Sequence, residues 1–134
     1  VADPRRTVVI VDDDRAVRVV LARALTHAGY RALEAPSGLR LLSLLQVDHP
    51  DLILLDVSMS WIDGLELCRA LKANRLYRAI PVIFISGRSS SDDIAAGLAA
   101  GADAYFPKPI DTAALLDAVA AALSTPPSPP SLTV

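Results

Sequence analysis

Short apolar runs alternate with longer stretches of helical period along the body of the chain. The runs Thr7–Val11, Arg31–Ala35, Leu52–Asp56, Pro81–Ser86 and Ala102–Phe106 are too brief for helices and rich in branched aliphatic residues, so each predicts a strand. The first, third and fourth are apolar at nearly every position, as strands buried on both faces are, while the second and fifth are more mixed. Between the first two runs, Val17, Val20, Leu21, Ala24, Leu25 and Ala28 recur at i, i+3 and i+4. Asp14 stands before that series as a helix N-cap and Gly29 after it as a stop. Ser37 opens a leucine-rich helix to about Val47, and Asp63 opens one carrying Leu67, Cys68 and Leu71. A weaker helix runs from about Asp92 to Ala100 and stops at Gly101; the last begins near Asp111 and carries Leu115, Leu116, Val119 and Leu123. Alternating strands and helices predict one α/β domain built on a five-stranded parallel sheet with helices on both faces.

Length and composition narrow the picture. The 134 residues suit a single domain, and although 52% are hydrophobic, no apolar run reaches the roughly 18 residues that cross a bilayer, so a soluble chain with no membrane partner is expected. The single cysteine, Cys68, has no internal disulfide partner and fits a reducing, cytoplasmic setting, where it belongs in the core. A net charge of −2 gives no footprint for direct nucleic acid binding. Arg69, Lys72, Arg75 and Arg78 recur every third residue and read as a solvated stripe; His27, His49 and Tyr77 suggest no chemistry. Residues 1–6 form an N-terminal extension, 7–123 the domain, and 124–134 a Pro/Ser-rich linker or tail that favours extended conformers. Since the chain begins at Val1, it is expected to be cut from a longer protein.

The polar residues gather where chemistry is expected in such a sheet, at the carboxyl ends of its strands. Asp12 and Asp13 end the first strand, Asp56 the third and Ser86 the fourth, and Lys108 follows the fifth. Two carboxylates about 4 Å apart repel by roughly 4 kcal/mol at an effective dielectric of about 20, so three together require positive charge. A hard, oxygen-loving divalent ion meets that need, and cellular availability points to Mg²⁺, with Lys108 supplying a second cation. An ion bound there would bridge a carboxylate and an incoming phosphoryl group. Asp56, alone on a central strand, is the best nucleophile, and Lys108 with the Ser86 hydroxyl can hold the remaining phosphoryl oxygens.

From about Arg6 to Leu123 the sequence resembles the response-regulator receiver family of two-component phosphorelays. The likeness rests on VVIVDD (Val8 to Asp13), DLILLDVSMSWIDG (Asp51 to Gly64), VIFISG (Val82 to Gly87) and GADAYFPKP (Gly101 to Pro109), in order and correctly spaced. It implies a doubly wound, flavodoxin-like sheet of strand order 2-1-3-4-5. It also implies Asp56 as phosphoacceptor, Asp13 and Asp56 as direct Mg²⁺ ligands with the Ser58 backbone carbonyl, and Asp12 assisting through water. Ser86 matches the hydroxyl that follows phosphorylation, Tyr105 the aromatic switch position and Lys108 the phosphate-binding lysine, whose bond to Pro109 is usually cis in the family. The expected function is that of a signalling switch rather than a turnover enzyme. A histidine kinase or histidine phosphotransfer protein would supply the phosphoryl group, and an output domain or partner protein would read the change.

The sequence departs from the family's pattern in places. Ser60 stands where proline is usual, which predicts a less rigid loop; Gly87 replaces a common alanine and should open access to the site. Pro107 removes a backbone donor from the fifth strand. The apolar set Ala99, Ala100, Ala104 and Ala113 to Leu116 argues against the charged dimer face of some relatives, so a monomer or weak dimer is expected. Rival readings fit the residues less well. A haloacid-dehalogenase-like phosphatase shares the Asp12-x-Asp14 spelling, but its later motifs follow a different chain order. A phosphorylation-independent binding module would not need the full acidic set. A dinucleotide site lacks its Gly-rich fingerprint.

Overall fold

The computed structural model describes residues 4–58 and 63–124. Five strands, β1 (Thr7–Val11), β2 (Arg31–Ala35), β3 (Leu52–Asp56), β4 (Val82–Ser86) and β5 (Ala104–Pro107), alternate with five helices. The helices are α1 (Arg15–His27), α2 (Gly38–Val47), α3 (Gly64–Ala73), α4 (Ser91–Ala99) and α5 (Thr112–Ser124). All strand pairs are parallel, in the order β2-β1-β3-β4-β5, as the resemblance implies.

Successive strand residues point to opposite faces, and this alternation divides the core into two clusters. Val8 and Ile10 of β1, Leu52 and Leu54 of β3, and Ile83 and Ile85 of β4 pack with Leu21 and Leu25 of α1 and Leu115 and Val119 of α5. Val9, Val11, Ile53, Leu55, Val82 and Phe84 face the other way, onto Leu41 and Leu45 of α2 and Leu67, Cys68 and Leu71 of α3. β1, β3 and β4 are buried throughout, whereas β2 and β5 at the edges are only partly so.

The predicted caps are present. Asp14 accepts from the Ala16 N–H, Ser37 from Arg40 and Asp63 from Leu65, and the Asp111 carboxylate receives the Ala114 N–H. Three elements start elsewhere than expected. The fifth strand starts at Ala104 rather than Ala102, because the Asp103 carboxylate takes the Val82 N–H at 2.8 Å in place of a backbone carbonyl. The fourth starts at Val82, since Pro81 has no N–H to enter the ladder. α4 begins one residue early because Ser90 caps it, accepting from the Asp93 N–H while donating to the Asp93 carboxylate at 2.7 Å.

Other expectations are revised in detail. Pro107 does not interrupt the edge pairing: it lies opposite Ser86, and the next residue, Lys108, donates its N–H to the Ser86 carbonyl at 2.7 Å. Lys72 leaves the proposed basic stripe, donating to the Ile80 carbonyl at 2.8 Å and pairing with Asp103 at 3.5 Å. Ala100 and Leu115 belong to the core rather than to an open apolar face, and Cys68 is buried as expected. Ser60 and Trp61 of the loop between β3 and α3 lie outside the described residues, as do residues 125–134 of the Pro/Ser-rich tail. Among the described residues no helix is long and apolar enough to cross a membrane.

Candidate functional site

The strand order reverses direction of winding between β1 and β3, and the crevice outside their carboxyl ends is where such sheets place ligands. The three candidate carboxylates meet there. One oxygen each from Asp12, Asp13 and Asp56 can be chosen so that all lie within 4.8 Å of one another, the grouping a single metal ion requires.

Each aspartate is held differently. Asp12 is fully buried, and its Oδ1 accepts the Asp14 N–H at 2.8 Å. Its Oδ2 lies 2.8 Å from Lys108 Nζ, but off the hydrogen-bond direction, so this buried oxygen has a charge contact and no aligned donor. Burial pushes the Asp12 carboxyl above its usual range, and Lys108 and the Asp14 N–H offset that only in part. Asp13 is exposed. Asp56, 3% exposed at the end of β3, accepts the Ser58 N–H at 2.9 Å on Oδ1 and Lys108 Nζ at 3.3 Å on Oδ2.

Lys108 reaches back over the sheet edge to both buried carboxylates. Burial opposes its charge, yet Asp12 and Asp56 outweigh that and hold the ammonium above its ordinary value. The Lys108–Pro109 peptide bond is cis. Ser86, fully buried, lies with its hydroxyl 3.1 Å from that of Ser58, which also donates to Asp56 Oδ1 at 3.3 Å. Tyr105 packs edge-on against Phe84 and donates its hydroxyl to the Arg88 carbonyl at 2.6 Å.

The side chains of Asp12, Asp13, Asp56, Ser58, Ser86 and Lys108 therefore converge, while Tyr105 stands one strand away and joins through the loop after β4. An all-oxygen acidic trio containing a buried oxygen without an aligned donor fits a hard divalent cation. Sequence reasoning missed the Ser58 side chain and the Arg88 backbone. Only the spacing of Ser58 two residues after Asp56 hinted at either of them, since Asp, Ser and Thr turns commonly bond two residues apart.

Comparison with known proteins bears on the family and the fold. The family described as response regulator receiver domain matches residues 8–120. The response regulator MprA of Mycolicibacterium vanbaalenii is 43% identical over 109 residues, covering 81% of this chain and 46% of the relative. The chain thus spans about half the length of the curated relatives it matches. Among solved structures, a putative response regulator from Chloroflexus aurantiacus superposes with a TM-score of 0.86 at 31% identity, covering 90% of this chain and 99% of that one. The receiver domain of a signal transduction histidine kinase from Syntrophus aciditrophicus gives 0.84 at 32%, covering 96% and 98%. The chemotaxis protein CheY4 of Vibrio cholerae gives 0.82 at 28%, covering 89% and 99%.

Proposed function

The chain belongs to the response regulator receiver domain family, and on that premise we propose that it takes a phosphoryl group onto Asp56 from a phosphohistidine and converts that event into a change of surface. The convergence of Asp12, Asp13 and Asp56 with Lys108 carries this reading. Asp12, Asp13, Asp56 and the Ser58 backbone carbonyl would hold Mg²⁺. When bound, the ion supplies positive charge that balances the carboxylates and the equatorial phosphoryl oxygens.

The chain's own residues do the rest. A carboxylate oxygen of Asp56 attacks phosphorus in line; the new P–O bond forms as the P–N bond to the donor imidazole breaks, and the imidazole leaves with the bonding pair. The Ser58 N–H fixes the carboxylate's orientation through Oδ1. Lys108, already 3.3 Å from Asp56 Oδ2, follows the growing charge to a phosphoryl oxygen. The Ser86 hydroxyl exchanges its Ser58 contact for another phosphoryl oxygen. The protein is then a switch that is modified once per signal, and hydrolysis of the acyl phosphate resets it.

A donor histidine must reach Asp56 from the open side of the site. Beside Lys108 an apolar hollow of about 270 Å³, lined by Val17, Val20, Leu21, Pro109 and Ile110, offers a kinase or phosphotransfer protein a surface next to the reacting atoms. Control of an output domain or partner, in the cytoplasm, completes the proposal; it draws on response regulators of about twice this length.

The test is intact-protein mass after incubation with Mg²⁺ and a small phosphodonor. One phosphoryl adduct is expected, dependent on Mg²⁺ and absent from Asp56→Asn. An adduct mapped to another residue of the wild type would overturn the assignment.

A further inference from the structure

A basic side chain outside the site is built into the acidic loop. Arg18, on α1, donates from Nη1 to the Asp12 carbonyl oxygen at 2.8 Å and from Nε to Glu34 Oε1 at 3.2 Å. Its side chain is only 12% exposed. The Asp12 carbonyl belongs to the planar peptide unit that joins Asp12 to Asp13, so holding its oxygen fixes the direction in which the Asp13 Cα departs. The neighbouring backbone is held as well: Asp12 N donates to the Ala35 carbonyl at 3.1 Å, and Asp14 N to Asp12 Oδ1 at 2.8 Å. The end of β2 thus contributes twice, through the Ala35 carbonyl directly and through Glu34 by way of Arg18.

We propose that Arg18 and Glu34 form a positioning clamp on the Asp12–Asp13 peptide that sets how Asp13 is presented to a divalent cation. Neither residue touches the cation or the phosphoryl group. The proposal deepens the reading of the acidic trio as a Mg²⁺ site and rests on it.

Sign separates the clamp from simple electrostatics. A guanidinium on the Asp12 carbonyl repels a second cation bound beside it, so if Arg18 acted only as a charge, its removal would tighten Mg²⁺ binding. As a positioning residue its removal weakens binding, by about tenfold on the scale seen when groups that orient metal ligands are lost. Arg18→Lys keeps the charge but has one ammonium where the guanidinium has a fork of donors, so it restores part of the affinity.

The experiment is calorimetric titration of the full chain with MgCl₂, together with backbone ¹⁵N relaxation of the metal-free protein. Arg18→Ala is expected to raise the Mg²⁺ Kd about tenfold and to increase motion at the Asp13 amide before any metal is added. Adding Glu34→Ala to Arg18→Ala should cost nothing further, because Glu34 acts through Arg18. Should Arg18→Ala fail to fold, the exposed Glu34→Ala alone decides: its Kd rises by a few-fold, or the clamp is wrong. Arg18→Ala binding as tightly as wild type, or more tightly, overturns the proposal if Asp13→Asn has lost affinity. If Asp13→Asn binds Mg²⁺ like wild type, the reading of the trio itself fails instead.

Discussion

Lys108 Nζ stands 2.8 Å from Asp12 Oδ2, an oxygen that is buried and has no aligned hydrogen-bond donor. The contact is one of charge on charge. It leaves Asp12 with a carboxyl that burial has pushed upward and that Lys108 and the Asp14 N–H do not bring back to its ordinary value. Between the ordinary carboxyl value of the unfolded chain and the raised value in the fold, the metal-free native state therefore retains a proton on Asp12 that the unfolded chain has released, and above that window the contact with Lys108 is between ions. The contribution of Asp12 to stability grows as pH falls through the folded-state value and is least at neutral pH. Asp12→Asn removes this dependence. In urea titrations with a chelator, from about pH 5 to about pH 7.5, the midpoint of Asp12→Asn should gain on that of wild type as pH rises. Parallel profiles would contradict the burial argument.

Lys108 competes with a divalent ion for the oxygens of Asp12 and Asp56. Lys108→Ala should accordingly bind Mg²⁺ at least as tightly as wild type, while the metal-free variant is destabilised because two buried carboxylates lose their cation. Calorimetry and chemical denaturation check the two halves. A weaker Mg²⁺ affinity would show that Lys108 organises the acidic groups rather than competing for them.

Asp13 and Asp12 should differ toward the cation. Asp12 is committed to the Asp14 N–H and to Lys108, whereas Asp13 is exposed at the mouth of the site. Asp13→Ala should weaken Mg²⁺ binding more than Asp12→Ala, as expected of a direct ligand against one acting through water. Equal dissociation constants in a titration would remove that distinction.

A chain of contacts links the site to Tyr105. The Ser86 hydroxyl accepts the Arg88 N–H at 3.0 Å, and the Arg88 carbonyl accepts the Tyr105 hydroxyl at 2.6 Å. If phosphorylated Asp56 draws the Ser86 hydroxyl toward it, the loop follows and Tyr105 is released from Arg88, a bias between two conformations. Ser86→Ala should still accept the phosphoryl group, since Lys108 and the acidic trio remain. Its NMR shifts around Tyr105 on adding beryllofluoride should be smaller than those of wild type. A full response in the variant would mean that the coupling runs elsewhere.

Gly64 and Gly97 lack side chains for packing reasons. A Cβ at Gly64 would sit 2.7 Å from the Val57 Cα, a backbone atom that cannot step aside. One at Gly97 would sit 2.8 Å from ring atoms of both Phe84 and Tyr105. Gly64→Ala should cost about 1–3 kcal/mol by chemical denaturation. Gly97→Ala should displace the Tyr105 ring, visible as shifted aromatic resonances. Unchanged Tyr105 resonances would show that α4 can move instead.

Periodicity alone disclosed the element order, because strands and helices here bury faces that repeat at two residues and at about 3.6. Caps at Asp14, Ser37, Asp63 and Asp111 were legible because a helix N-terminus needs a local acceptor, which is a short-range requirement written in adjacent residues. Asp12, Asp13, Asp56, Ser86 and Lys108 were legible as a group because a parallel sheet sends the ends of its strands to one edge. Tertiary structure alone decided what lies between residues far apart in the chain. The Asp103 carboxylate that moves the start of β5, Lys72 turned onto the Ile80 carbonyl, Arg18 bridging Asp12 and Glu34, and Tyr105 bound to Arg88 all depend on distances between separate elements. Those distances follow from how the layers pack, and a polar side chain reads the same in the sequence whether it meets water or a carbonyl of another strand.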